Sequence, residues 1–359
     1  MKNRSEFPSC RTAAVISALS ILTIVAAAKA QGDQATLVQQ AYDSSKDAKT
    51  LDEFNAALVA CKTASDAELT DAQHKYVDQL AAWVHNKRGE YYANQAVKLS
   101  DDGKTEQATE MDAKALAEFE VAVEKDSNKW QAVHNRGVSY AAAGRFAEAL
   151  KDFDRVVQLR IGFTKGWFNR GEANYSLGRY DDAISDYTTL LRLNPNDSAA
   201  YVSRGHAYFQ MREFDQALSD YSMAVSLQPN DALLRANRAD AYQSLRMWQQ
   251  AADDYRLAVD MDNQLGRAYQ GAAWLMSTCP DARFRNSEMA LEAAQSAITN
   301  DGEGDYRYLD TMAAAQASAG QFEQAQETLT KAIKKAPESE QERLKSRLDL
   351  YKEGKPYRQ

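Results

Sequence analysis

The chain has 359 residues, a net charge of −8 from 51 acids against 43 Lys and Arg, and 44% hydrophobic residues. That is enough apolar material for an extensive core, and the acidic balance excludes the clustered positive surface that a nucleic acid needs. Three cysteines make no disulfide scaffold, and the four histidines form no His-Glu-x-x-His or Cys/His cluster, so no metal site is signalled.

Residues Met1 to Ala30 begin with basic Lys2, Arg4 and Arg11, continue through an uncharged apolar run from Ala13 to Ala28, and end in Ala28-Lys29-Ala30. This reads as a secretory signal peptide cut after Ala30. An uncleaved N-terminal anchor is the alternative, although the run is short and Ala-rich for a membrane span. Lys2, Arg4, Arg11, Lys29 and Glu6 give this segment +3, so the remainder carries −11. The mature protein is then expected outside the cytoplasm, periplasmic or extracellular, starting at Gln31, with no stable membrane insertion and a basic or neutral partner. Cys61 and Cys279 remain, expected as buried small hydrophobes far apart in an elongated chain rather than as a disulfide.

Residues 31–128 read as an irregular helical region. Gln34 to Ser65 suggests a poorly matching helical pair. Arg88-Gly89 and Ala115 to Phe119 mark a degenerate repeat unit at about residues 82–127, with a 14-residue insertion. Either its helices are longer or the polar stretch Ser100 to Glu110 is a loop.

From Trp130 onward the chain repeats itself every 34 residues: Asn135-Arg136-Gly137 returns as Asn169-Arg170-Gly171, Ser203-Arg204-Gly205 and Asn237-Arg238-Ala239. Ala149 and Phe153 return as Ala183 and Tyr187, Ala217 and Tyr221, Ala251 and Tyr255. A fixed period of this length predicts stacked helical hairpins. In residues 164–197, Trp167, Arg170, Gly171, Tyr175 and Leu177 mark a first helix, Gly178 a turn, and Ala183, Ile184, Tyr187 and Leu190 a second, before Asn194-Pro195 breaks it. Copies fall at 130–163, 164–197, 198–231, 232–265, 266–304 and 306–339. The copy at 266–304 places Ala273 and Ala290 17 residues apart where regular copies show 12, which predicts a longer loop around Ser277 to Asn286. A charged helix from Glu338, with Leu344, Leu348 and Tyr351 on one face, fits a solvating cap within the final stretch 340–359.

Each copy with Arg before its small residue also carries an acid before its second-helix aromatic. The pairs are Arg136 with Asp152, Arg170 with Asp186, Arg204 with Asp220, Arg238 with Asp254, and in the degenerate copy Arg88 with Glu118. Where Ala272 and Met312 replace the Arg, Ala293 and Thr328 replace the acid. Joint presence and absence point to structural ion pairs between helices; common ancestry of the copies is the other explanation.

The pattern of small, aromatic, Ala, aromatic and Pro positions resembles the tetratricopeptide repeat (TPR). Gly171, Ala183, Tyr187 and Pro195 match in one copy, Gly205, Tyr208, Ala217, Tyr221 and Pro229 in the next, and Gly320, Phe322, Ala325 and Pro337 in the last. The tail Tyr351 to Arg358 resembles the ending of some exported bacterial members. The resemblance implies an all-α, right-handed α-solenoid of stacked helix-turn-helix repeats with a C-terminal capping helix. It implies a groove lined by first helices that binds an extended peptide or a helix. Carried over by phase, the groove residues are Asn135, Phe168, Asn169, Glu172, Tyr175, His206, Phe209, Asn237, Asp240 and Trp274. The carboxylate-holding set of chaperone-binding members is not matched, because His134 and Val138 stand at its first Lys and Asn positions. No phosphate loop or nucleophile elbow occurs, so no catalytic residue and no cofactor is expected. The expected function is a non-catalytic exported scaffold for protein–protein interaction. A self-associating structural component of cell-envelope assembly is the alternative.

Overall fold

A computed structural model describes residues 33–359, and the segment expected to be a leader, with its expected cut after Ala30, lies outside them. Seventeen α-helices and one 3-10 turn make up the described residues, with no strand. They form two compact units that meet at Leu177 and Gly178.

The first unit holds α1 (Asp33–Lys46), α2 (Leu51–Ser65), α3 (Asp71–Asp101), α4 (Thr105–Lys125), α5 (Trp130–Ala142), α6 (Phe146–Leu159) and α7 (Thr164–Ser176). Thr50 and Thr70 start α2 and α3 with capping boxes closed by Glu53 and Gln73, which satisfy backbone N–H groups that the first turn would leave unpaired. The degenerate copy absorbs its insertion as helix: α3 runs 31 residues and α4 runs 21. Between them only residues 102–104 leave the helix, and Gly103 turns the chain at φ 74°.

The second unit holds α8 (Tyr180–Leu193), α9 (Ser198–Gln210), α10 (Phe214–Leu227), α11 (Ala232–Ser244), α12 (Trp248–Met261), α13 (Gly266–Thr278), α14 (Ser287–Asp301), α15 (Tyr306–Ser318), α16 (Phe322–Lys335) and α17 (Glu338–Lys352). Ala282–Phe284 forms the 3-10 turn, within the longer connection between α13 and α14. On α17, Leu344 and Tyr351 are fully buried against α15 and α16 while Lys345, Ser346 and Asp349 face solvent, so this helix closes the array with a polar outer face. Cys61 and Cys279 are both free and buried, and burial pushes both thiols up in pKa.

The recurring residues do recurring packing work. Ala149, Ala183, Ala217 and Ala251 are fully buried, and the rings of Phe153, Tyr187, Tyr221 and Tyr255 are at most 2% exposed. Removing each ring from water contributes about 1.5–3 kcal/mol. The glycines exist because those rings need their space: a Cβ on Gly137 would lie 2.8 Å from Phe153, and one on Gly205 would lie 2.7 Å from Tyr221. Gly205→Ala would gain about 1 kcal/mol in helix propensity but lose about 1–3 kcal/mol to overpacking against a ring with nowhere to go. A lower melting temperature is therefore expected for Gly205→Ala and not for Gly162→Ala, whose Cβ would meet nothing within 4 Å; equal melting of the two would reject the close-approach account.

The turn between paired helices needs a left-handed residue. Gly144, Gly178 and Gly320 supply it at φ 73°, 73° and 78°, whereas Arg212 and Arg246 adopt it at 63° and 60° despite their side chains. Such a placement costs an L-residue roughly 1–2 kcal/mol.

Candidate functional site

Ion pairs tie the first helices to the second helices. Arg136 grips Asp152 with two hydrogen bonds of 2.8 and 2.7 Å, Arg204 grips Asp220 with the same two lengths, and Arg238 grips Asp254 at 2.6 and 2.8 Å. Arg88 donates to Glu118 at 2.7 Å, and His85 meets the other carboxyl oxygen at 2.8 Å. Burial alone would raise the Glu118 carboxyl, but those two hydrogen bonds outweigh it and hold the group below the usual carboxylate range. Arg170 lies in the first unit, where it donates to Asp154 at 2.9 Å; Asp186 lies in the second.

A second bond of these arginines escaped the sequence. Arg204 also donates to Thr188 on the preceding hairpin at 2.9 Å, and Arg88 to Asn55 on α2 at 2.7 Å. The guanidinium fork thereby joins three helices instead of two. Where the pair is missing, Ala293 and Met312 enter one apolar cluster with Ala273, Ala290 and Ala315.

In the first unit a polar row crosses α3, α5 and α7. Asn86 donates to Glu90 at 2.8 Å, Asn135 donates to Asn86 at 3.0 Å, and Asn169 lies 3.0 Å from His134, the neighbour of Asn135. Asn135 and Asn169 are thus brought together through residues that phase alone did not select. Phe168, Glu172 and Tyr175 are half-buried on α7 beside Asn169.

His134 is half-buried edge-on to Phe163, at 5.1 Å between ring centroids, and burial lowers its pKa below the ordinary value of 6.5. The unfolded chain then binds this proton more readily than the folded one, so stability falls as pH drops through about 6.5. A melting temperature that declines between pH 7 and pH 5 is expected, with a shallower decline in His134→Gln; parallel declines would exclude His134 as the cause.

The second unit brings Phe209, Asp240 and Trp274 from the successive first helices α9, α11 and α13 to one cleft of about 470 Å³. Phe209 stands edge-on to Phe214 at 5.1 Å, and Gln270 donates to Thr311 across the cleft wall at 2.8 Å. Asp240 is already engaged by the Tyr255 hydroxyl at 2.6 Å and by Arg267, so it shapes the wall rather than offering a free carboxylate. His206 packs 5.6 Å from the buried ring of Tyr221 and is absent from the cleft lining. Asn237 corrects the expectation drawn from phase: it is only 4% exposed and offers a partner no surface.

Arg212, Arg307, Arg343 and Arg347 line the cleft, and the last three are paired with Asp305, Glu340 and Asp310. Sequence reasoning missed Arg347, Tyr357 and Gln359 here. The Arg347 guanidinium lies against both the Trp274 and Tyr357 rings, 4.6 and 4.5 Å from their centroids, and pairs with Asp310. Among the described residues no group of three or more His, Cys, Asp or Glu could hold a metal ion, and no helix is long and apolar enough to cross a membrane.

Family models described as tetratricopeptide repeat match residues 113–162, 198–231 and 309–339, and one described as TPR repeat matches residues 171–212. The repeats at these positions are tetratricopeptide repeats. No curated protein matches this TPR chain. Its fold is shared with a tetratricopeptide repeat protein from Parabacteroides merdae, at a TM-score of 0.56 and 17% identity over 74% of this chain and 98% of that one. PilF of Pseudomonas aeruginosa is also similar, at a TM-score of 0.48 and 18% identity over 62% and 96% of the two chains. So is YrrB, described as a TPR protein with an unusual peptide-binding site, at 0.41 and 22% over 49% and 88%. TPR arrays are generally scaffolds for protein–protein interaction without catalysis of their own.

Proposed function

We propose that this TPR protein is a non-catalytic scaffold that binds a protein partner along its first helices, with the cleft of the second unit as the principal site. The observation that carries this is the convergence of Phe209 and Trp274, both half-buried, on one cleft whose wall keeps buried polar atoms without protein partners, Gln243 Oε1 and Asp310 Oδ1. Half-buried rings supply area to an incoming chain. Arg212, held in a left-handed turn at the cleft rim, adds a strained residue where a glycine stands in sister copies. The proposal includes action after export, supported by the basic start, apolar run and small-x-small end of Met1 to Ala30. N-terminal sequencing of native protein should return Gln31; an intact Met1 region would reject cleavage.

The test of binding uses a photo-crosslinking residue at Phe209 and, in parallel, at Met223 or Met289, both exposed away from the cleft. Crosslinks to one partner from Phe209 alone support the scaffold reading. Crosslinks between copies from Met223 or Met289, with none from Phe209, support a self-associating structural role instead.

A further inference from the structure

Gly354 adopts φ 68° just after α17, Lys355 N–H closes the turn on the Leu350 carbonyl at 2.9 Å, and Pro356 prevents the helix from resuming. The chain therefore reverses and runs extended over the last turn of α13, 81 residues upstream. That turn ends in carbonyls that no N–H of the same helix can reach. Three donors of the tail meet it. Arg358 donates to the Ser277 carbonyl at 2.7 Å, the Gln359 backbone N–H to the Thr278 carbonyl at 2.9 Å, and the Gln359 amide to the Thr278 hydroxyl at 2.6 Å. One helical turn earlier, Trp274 meets Tyr357 directly, with ring centroids 5.9 Å apart, and Arg347 lies against both rings.

We infer that residues Tyr357 to Gln359 occupy in cis the place of a partner's extended segment, and that the partner displaces them with a peptide of the same chemistry: an aromatic residue followed by hydrogen-bond donors. This rests on the cleft being the partner site, and it specifies both the ligand class and a built-in competitor. The ligand class follows from what the tail uses. Each of the three groups it bonds to α13 with is a donor, because the helix end offers acceptors. The ring position is set by the Arg347 guanidinium, which attracts an aromatic face from either molecule. The competition follows from tethering: the tail is joined to the array by a short turn, so its effective concentration at α13 is high, of order mM, and a free peptide must exceed it. Residues 352–355 are exposed and 356–359 only half-buried, so release of the tail uncovers Trp274 and withdraws only the half-buried Tyr357 ring from the edge of the core.

The probe is a labelled synthetic peptide spanning residues 353–359, titrated by fluorescence anisotropy into the full chain and into the Tyr357→Ala/Arg358→Ala variant. At least tenfold tighter binding by the variant is expected, with loss of that binding when Trp274→Ala is added. Should the pair variant lose helical signal by circular dichroism, Gln359→Ala alone, which leaves the ring stack in place, serves with a smaller expected gain. Equal or absent peptide binding by native and folded variant chains would overturn the inference and leave the tail a structural strap. A concentration-dependent dimer of the native chain that dissolves in the variant would also overturn it, by showing exchange of tails between copies. Crosslinking from Phe209 separates the two levels: if it still captures a partner while the peptide result is negative, the cleft reading stands and only the tail's role falls.

Discussion

Arg347→Ala is expected to lower stability by about 3–5 kcal/mol, the cost of leaving one member of a buried ion pair alone. Arg347 and Asp310 side chains are 5% and 6% exposed, and the guanidinium also stacks on two rings. The loss is large against the ~5–15 kcal/mol that holds a typical domain together. It should appear first as detachment of α17, seen as faster amide exchange in α16 and α17 and as a lower melting temperature. The charge account is separable from mere loss of volume: Arg347→Met combined with Asp310→Leu leaves no lone carboxylate and should recover most of the stability. A loss below about 1 kcal/mol in the single variant would show that the pair is no fastener for the cap.

Arg204→Ala is the second large effect, expected at about 3 kcal/mol, the lower end of the range for breaking a buried pair. Asp220 is 4% exposed, burial already pushes its carboxyl up in pKa, and without Arg204 it must stay buried either charged and unpaired or protonated, while Thr188 would lose its donor. The hydrogen bonds to Asp220 raise the pKa of Arg204 and more than compensate for its burial, which disfavours the charged form. Thermal unfolding of Arg204→Ala beside Arg283→Ala checks this, since Arg283 is an exposed arginine paired to Asp281 and its removal should leave the curve in place. Similar curves for both variants would mean that the interhelix pairs carry no special weight.

The repeat architecture was legible because each copy solves one packing problem with the same residue types. Gly205 faces Tyr221 as Gly137 faces Phe153, and a shared solution leaves a periodic trace. The arginine-to-acid spacing left a trace for the same reason. The second bonds of Arg204 and Arg88 did not, since Thr188 and Asn55 have no common type or charge to covary with them. Phase along a helix placed Phe209 and Trp274 at the cleft but carries no measure of depth, so it points to Asn237 as readily although that side chain is buried. The tail lay beyond the reach of any periodic argument. Its address depends on one left-handed glycine and on carbonyls 81 residues away. The insertion near Ser100 was decided by turn chemistry: Gly103 lets two long helices meet with three residues between them.

The 31-residue α3 has a mechanical consequence. At about 1.5 Å per residue it is a rod of about 46 Å, more than twice the length of a 13-residue first helix. It packs against α1, α2, α4 and α5, so neighbouring layers share one stiff member instead of meeting only at a replaceable seam. Arrays of identical layers unravel in small, even steps under tension because each seam yields by itself. Here α1 to α5 cannot peel apart singly: α3 must keep its straight course or lose both sides together. Pulled from the Asp33 end, the first unit is built to resist as one block and then release in a single long step.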